Sequence, residues 1–139
     1  MSAGDDFFDT NVLLCLLSAD TAKADRAEEL LAGGGTVSVQ VLNEFASVAS
    51  RKLHMPWAEI RDVLAQVCAL CAVEPLTLKT HERGLQLAER YGLSVYDALI
   101  VSAALLAGCK TLRSEDMQDG QLIERKLTIR NPFAQMISK

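Results

Sequence analysis

The sequence predicts a single three-layer α/β domain, residues 1–139, in which a short, mostly parallel central sheet is surrounded by helices. Three observations lead there. Short β-rich runs alternate with helix-period segments along the whole chain, the pattern of strands joined by crossover helices. The chain has 139 residues, of which 50% are hydrophobic and 23% charged, the size and balance of one domain with one core. No internal repeat, low-complexity segment or linker divides it.

The elements follow in order. Phe7-Phe8 marks the end of a short strand, and the apolar run from Asn11 to Ser18 begins a helix. Residues 21–32, TAKADRAEELLA, form an amphipathic helix stopped by Gly33-Gly34-Gly35. A β-rich stretch, TVSV at 36–39, precedes a helix over 40–53 that carries Val41, Phe45, Val48 and Ala49 on one face. Pro56 suits the first turn of a long helix through residue 72, and CAVEPL then supplies a strand. Helices are expected over 79–91 and 95–107, the second closed by Gly108. CKTLRS at 109–114 reads as strand, and KLTIR at 126–130 as the last.

Charge and composition narrow the function. With 14 Lys+Arg against 18 Asp+Glu, net −4, the chain lacks the basic balance of a nucleic-acid binder, so any polyanionic partner must be met locally or through metal. No apolar run approaches the roughly 20 residues of a membrane span, and MSAGDD lacks the basic start of a signal peptide, so a cytoplasmic protein is expected. Cys15, Cys68, Cys71 and Cys109 are expected as reduced core thiols. The Cys68-x-x-Cys71 spacing lies within VLAQVCALCAV, where it would put two small side chains on one buried helical face. A zinc site there would need His54 and His81 from other segments.

In parallel α/β sheets, ligands bind beyond the carboxyl ends of the strands. Acids gather at such points. Asp9 follows the strand FF, Asp116 and Asp119 follow CKTLR, and Glu44 and Asp97 stand in the first turns of helices. Each has an ordinary explanation as well. Asp9-Thr10-Asn11 reads as a helix N-cap and Ser94-x-x-Asp97 as a capping box. Glu44 reads as a solvated helix residue, and Asp116 and Asp119 belong to a glycine-containing turn. Their company argues for more. Glu44 and Asp97 adjoin core residues, and carboxylates brought together repel unless a cation lies among them. Oxygen ligands without His or Cys suit Mg²⁺ or Mn²⁺, which in turn favour phosphate.

The stretches FDTNVLL at 8–14, NEF at 43–45, YDALIVSAALLAGCKTLRSED at 96–116 and the trailing MQDG together resemble the PIN-domain ribonucleases, and within them the VapC-like toxins of type II toxin–antitoxin pairs. The resemblance runs from about Asp6 to Phe133. It implies a PIN-like fold and metal-assisted hydrolysis of RNA phosphodiesters, with Asp9, Glu44, Asp97 and Asp116 as catalytic acids holding one or two Mg²⁺ or Mn²⁺ ions. Asp9 and Asp97 would serve a central metal, and Glu44 and Asp116 would position water or complete a second metal site. Asn11 and Ser114 match supporting polar positions, and Asp119 is a further candidate metal ligand. Where many members read T-R-D-x-D-F, this chain reads Ser114-Glu115-Asp116-Met117-Gln118-Asp119-Gly120. The implied partners are an RNA substrate, a cognate antitoxin and a second copy in a homodimer.

Arg51, Lys52 and Arg113 are candidates for flanking phosphates, with solvated surface charges as the alternative. With one Trp, two Tyr and four Phe, stacking platforms are scarce. The helix over 56–72 carries Ile60, Val63, Leu64, Val67, Cys68 and Leu70 around much of its circumference, which fits either a groove for a partner or a helix buried between layers. A dehalogenase-type phosphatase would need an acid where Asn11 stands. A receiver domain would need a central-strand Asp where CAVEPL offers only Glu74. A PIN-like binding module without catalysis is the remaining alternative.

Overall fold

In a computed structural model, which describes residues 5–134, a six-stranded sheet is surrounded by six helices. The chain runs β1 (Asp6–Phe8), α1 (Thr10–Leu14), a 3-10 turn (Cys15–Leu17), α2 (Thr21–Ala32), β2 (Gly35–Ser38), α3 (Val39–Arg51), α4 (Trp57–Leu70) and β3 (Cys71–Glu74). It continues through α5 (Leu78–Tyr91), α6 (Val95–Leu106), β4 (Thr111–Arg113), β5 (Leu122–Ile123) and β6 (Leu127–Arg130). Strand order is β3-β2-β1-β4-β6-β5, and every pairing is parallel except that of β5 with β6. The three-layer α/β class expected from the alternation is the class observed.

Successive side chains of a strand point to opposite faces. Phe7 and Phe8 are nevertheless both fully buried, as are Val37, Leu112 and Ile129, so both faces of the central strands are covered. A side chain of this size contributes about 1.5–3 kcal/mol on burial. Helix α6 is apolar on all sides because it is enclosed: every residue from Ala98 to Ala104 is buried. Ser102, buried within it, donates to the Thr80 carbonyl (2.9 Å) and so satisfies its hydroxyl against α5.

Several boundaries move for identifiable reasons. Ser38 ends β2 one residue early because its hydroxyl accepts from the Val41 N–H (3.2 Å) and caps α3. Helix α4 starts after Pro56 and stops at Leu70, where β3 pairs with β2. This corrects the reading of the Cys pair: Cys68 is exposed on the last turn of α4, whereas Cys71 is buried in β3, so they share no buried helical face. Cys15, Cys71 and Cys109 are buried free thiols, as expected. Helix α4 is also not buried between layers: Ile60 and Val67 face the core, and Trp57 and Leu70 are exposed.

Strand β5 is only two residues long and leaves no periodic signal in the sequence. It forms a hairpin with β6 through Glu124 and Arg125, both at positive φ (51° and 59°), the conformation of a tight hairpin turn usually filled by Asn or Gly. Helix α5 holds that turn: the Tyr91 hydroxyl accepts from the Glu124 N–H (2.9 Å), and Arg83 pairs with the Glu124 carboxylate (2.7 Å). No helix among the described residues is long and apolar enough to cross a membrane.

Candidate active site

Parallel pairing of β1 with β4 brings the ends of both strands to one edge of the sheet. Asp9 follows Phe8, and its N–H continues the ladder onto the Arg113 carbonyl (3.0 Å). Ser114 follows Arg113, with its N–H on the Arg130 carbonyl (3.0 Å). The helices entered at this edge, α3 and α6, add Glu44 and Asp97. A cavity of about 510 Å³ opens there, and Asp9, Asn11, Glu44, Asp97 and Asp116 all line it. Its volume falls within the range of roughly 300–1,000 Å³ usual for ligand clefts.

Asp9 is the anchor. It is 4% exposed and accepts three hydrogen bonds, from the Thr10 N–H (2.7 Å), the Ser114 hydroxyl (2.7 Å) and the Asn11 side-chain amide (3.2 Å). The other end of the Asn11 amide accepts from the Glu115 N–H (3.0 Å), so one side chain ties the end of β1 to the loop after β4. Ser114 is fully buried, and its oxygen also accepts from the N–H groups of Asp116 (3.3 Å) and Met117 (3.2 Å). Glu44 is held at both oxygens, by the Thr10 hydroxyl (2.7 Å) and the Gln40 amide (2.6 Å). Asp9 caps α1 and Ser94 accepts from the Asp97 N–H (3.2 Å), so capping and membership of the cavity coexist.

Ser114→Ala is expected to leave Asp9 short of a donor and two backbone N–H groups without their acceptor. Loss of such a supporting partner costs about 10- to 100-fold in metal affinity or activity, and the orphaned groups cost about 1–3 kcal/mol of stability. Mn²⁺ titration and urea unfolding of the variant measure the two effects separately.

Burial pushes the Asp9 carboxyl up from 3.8 to about 6, against the opposing hydrogen bonds from Ser114 and Thr10 and with further upward pressure from Asp97 and Asp116. Burial also raises Asp97, opposed by Ser94 and reinforced by Asp116 and Glu44. An acid whose pKa is higher in the folded state binds a proton more tightly there. Between pH 4 and 6 the folded Asp9 is protonated and the unfolded one ionised, so its contribution to stability falls as pH rises through that window. The whole effect is about 3 kcal/mol at most. In chelator, the stability of the wild type relative to Asp9→Asn should therefore decline from pH 4 to pH 7, as followed by urea unfolding; a constant difference would show that Asp9 carries no such penalty.

The remaining sequence candidates divide. Arg51 lines the cavity, its Nε donating to the Ser47 hydroxyl (3.1 Å). Lys52 caps the end of α3 and is not in the cavity wall. Arg113 turns to Asp6 (3.5 Å) and likewise leaves the wall. Asp119 accepts from the Asn131 N–H (2.9 Å) and is exposed outside the cavity, where it ties the loop between β4 and β5 to the residue just after β6. Thr10, Gln40 and Tyr96 belong to the wall without having been singled out. Gln40 was recoverable, standing four residues before Glu44 and so on the same helical face; Thr10 and Tyr96 adjoin acids already marked.

Among the described residues, no three His, Cys, Asp or Glu side chains converge closely enough to form a ready-made metal site. The donor chemistry nonetheless fits a hard divalent cation. Carboxylates from four chain segments share one cavity, no His or Cys lines it, and burial together with neighbouring carboxylates pushes Asp9 and Asp97 up. Mg²⁺ commonly keeps several waters and takes only one or two carboxylates directly, which suits acids spread around a cavity.

A family model for the PIN domain matches residues 7–118. A search of curated proteins returned no match. Among solved structures, the chain is similar to a toxin–antitoxin complex from Klebsiella pneumoniae, at 22% identity and TM-score 0.68, covering 91% of this chain and 97% of that one. It is also similar to VapC20 of Mycobacterium tuberculosis, described as a sarcin–ricin-loop-cleaving toxin, at 21% identity and TM-score 0.64 over 77% and 86% of the two chains. VapBC2 of Rickettsia felis, bound to a promoter DNA fragment, matches at 19% identity and TM-score 0.64 over 91% and 97%. At these identities the structural likeness speaks for the fold.

Proposed function

The chain belongs to the PIN-domain family, and on that premise we propose that it is a metal-dependent endoribonuclease, the toxin of a toxin–antitoxin pair. The observation that carries this reading is the convergence of Asp9, Glu44, Asp97 and Asp116, from separate segments, on one cavity at the carboxyl edge of the sheet. Similarity to toxin–antitoxin complexes, and to a toxin described as cleaving the sarcin–ricin loop, supports the choice of RNA as substrate and of an antitoxin as partner. A homodimer of cytoplasmic location belongs to the same reading.

The chain's own residues would divide the work. Asp9, fixed by three donors, and Asp97, presented by the first turn of α6, form the negative centre that draws in Mg²⁺ or Mn²⁺. Asp116 adds charge from the loop that Ser114 anchors. Glu44, locked at both oxygens by Thr10 and Gln40, cannot swing toward the centre without breaking two short hydrogen bonds, so its role is to hold the far wall and orient water there. When bound, the cation supplies Lewis-acid activation of water and neutralises charge at the scissile phosphate. Asp119, occupied with Asn131 outside the cavity, takes no part.

Metal-dependent thermal stabilisation tests the site without substrate. A group that binds only the folded state stabilises it by RT ln(1 + [L]/Kd), about 2.7 kcal/mol at a hundredfold excess over Kd. Millimolar Mn²⁺ or Mg²⁺ should raise the Tm of the wild type and leave that of Asp97→Asn nearly unmoved. Equal responses of the two would place any bound metal elsewhere.

A further inference from the structure

The cavity wall contains one cation and one aromatic, Arg51 and Tyr96, and neither is needed to assemble the acids. Tyr96 immediately precedes Asp97 in the first turn of α6 and is 64% exposed, a large apolar ring left open to water beside a carboxylate. Arg51 ends α3. Its Nε is steadied by Ser47, and no carboxylate among the described residues pairs with it, the ion pairs there being made by Lys23, Arg26, Arg83 and Arg113. A free guanidinium in an otherwise acidic cavity is suited to a phosphate, and an exposed ring to the face of a base. Both share the cavity wall with the carboxylates.

Resting on the ribonuclease reading above, we infer that Tyr96 and Arg51 are specificity-determining residues that make the site select an unstacked nucleotide, with a base against the Tyr96 ring and a flanking phosphate on Arg51. A base inside a duplex is stacked on both faces and offers none to Tyr96, so the substrate class is a single strand or an open loop. Stacking is tolerant of base identity, so this pair selects for strand state and not for sequence. Tyr96 is exposed and makes no hydrogen bond within the described structure, so replacing it leaves the fold intact.

The test uses a ten-nucleotide RNA bearing 2-aminopurine, single-stranded or annealed to its complement, with Ca²⁺ in place of Mg²⁺ during binding and Mg²⁺ for parallel kinetics. Wild type should bind the single strand at least tenfold tighter than the duplex and alter the fluorescence of the probe. Tyr96→Leu should lose about tenfold or more in affinity together with that fluorescence change, and in cleavage should raise KM with kcat largely kept. Tyr96→Phe should retain both. Arg51→Gln should weaken binding and flatten its salt dependence. Wild-type binding and KM in Tyr96→Leu, in a protein that still cleaves RNA with Mg²⁺, would overturn this inference and leave the nuclease reading standing. A wild type that neither binds nor cleaves either RNA would overturn both.

Discussion

Asp9→Asn and Asp97→Asn should each reduce metal-dependent RNA cleavage by about a thousandfold or more while leaving the protein folded. The magnitude follows from what a bound cation contributes to phosphoryl transfer, several kcal/mol of transition-state stabilisation, at about 1.4 kcal/mol per tenfold in rate. The two positions fail differently. The Asp9 carboxylate accepts at both oxygens, from the Thr10 N–H at Oδ1 and from the Asn11 amide and Ser114 hydroxyl at Oδ2, whereas an amide accepts at only one, so the hydrogen-bond network must rearrange as well. At Asp97 the side chain is half-buried and the cap, the Asp97 N–H donating to the Ser94 hydroxyl, is a backbone bond that the substitution keeps, so the change removes charge with little structural consequence. Single-turnover cleavage, with circular dichroism as the folding control, measures both. Asp119→Asn, altering a carboxylate outside the cavity, should retain wild-type cleavage.

The largest effect on stability is expected far from any titrating group, at Gly35. A methyl group there would stand 2.6 Å from the Phe8 ring and 2.8 Å from the Asp6 carbonyl oxygen, at a φ of +155° that side chains rarely adopt. Overpacking a core costs about 1–3 kcal/mol and a strained backbone position about 1–3 more, so Gly35→Ala should lose roughly 2–6 kcal/mol. For a chain of this size that is a fall in Tm of roughly 10–20 °C. Phe8 directly precedes Asp9, so whatever variant survives should also show impaired metal binding. Gly92→Ala is the control: its φ is +68° but nothing lies within 4 Å of the added carbon, so it should cost only about 1 kcal/mol. Differential scanning fluorimetry separates the two; comparable losses would remove the packing argument.

The sequence disclosed most of the fold because its local signals agree with its tertiary structure. The Gly33–Gly35 stop, the 3.6-residue period of α3 and α5 and the largely apolar α6 each say locally what the core requires. Hairpin β5–β6 was invisible because Glu124 and Arg125 adopt a turn their side chains do not favour, held by Tyr91 and Arg83 from a distant helix. Asp9, Glu44, Asp97 and Asp116 were legible as acids at strand ends and helix starts, since parallel topology converts those positions into neighbours. Side-chain direction was not legible. Arg113 and Asp119 are close to the acids in sequence, yet one turns along the sheet to Asp6 and the other caps the loop at Asn131. The spacing of Gln40 and Glu44 puts both on one helical face, and the burial of Gln40 shows that it clamps that carboxylate.

The central claim is that this acidic cavity hydrolyses RNA only with a divalent cation, and the direct measurement is cleavage of structured and single-stranded RNA by the purified protein in chelator, then with Mg²⁺ or Mn²⁺ restored. The account predicts no cleavage in chelator, recovery with either ion, and no recovery in Asp97→Asn. Cleavage that persists in chelator, or a wild type as inert as Asp97→Asn on every RNA with metal present, would contradict it, and in the second case the domain would be a binding module built on a nuclease fold.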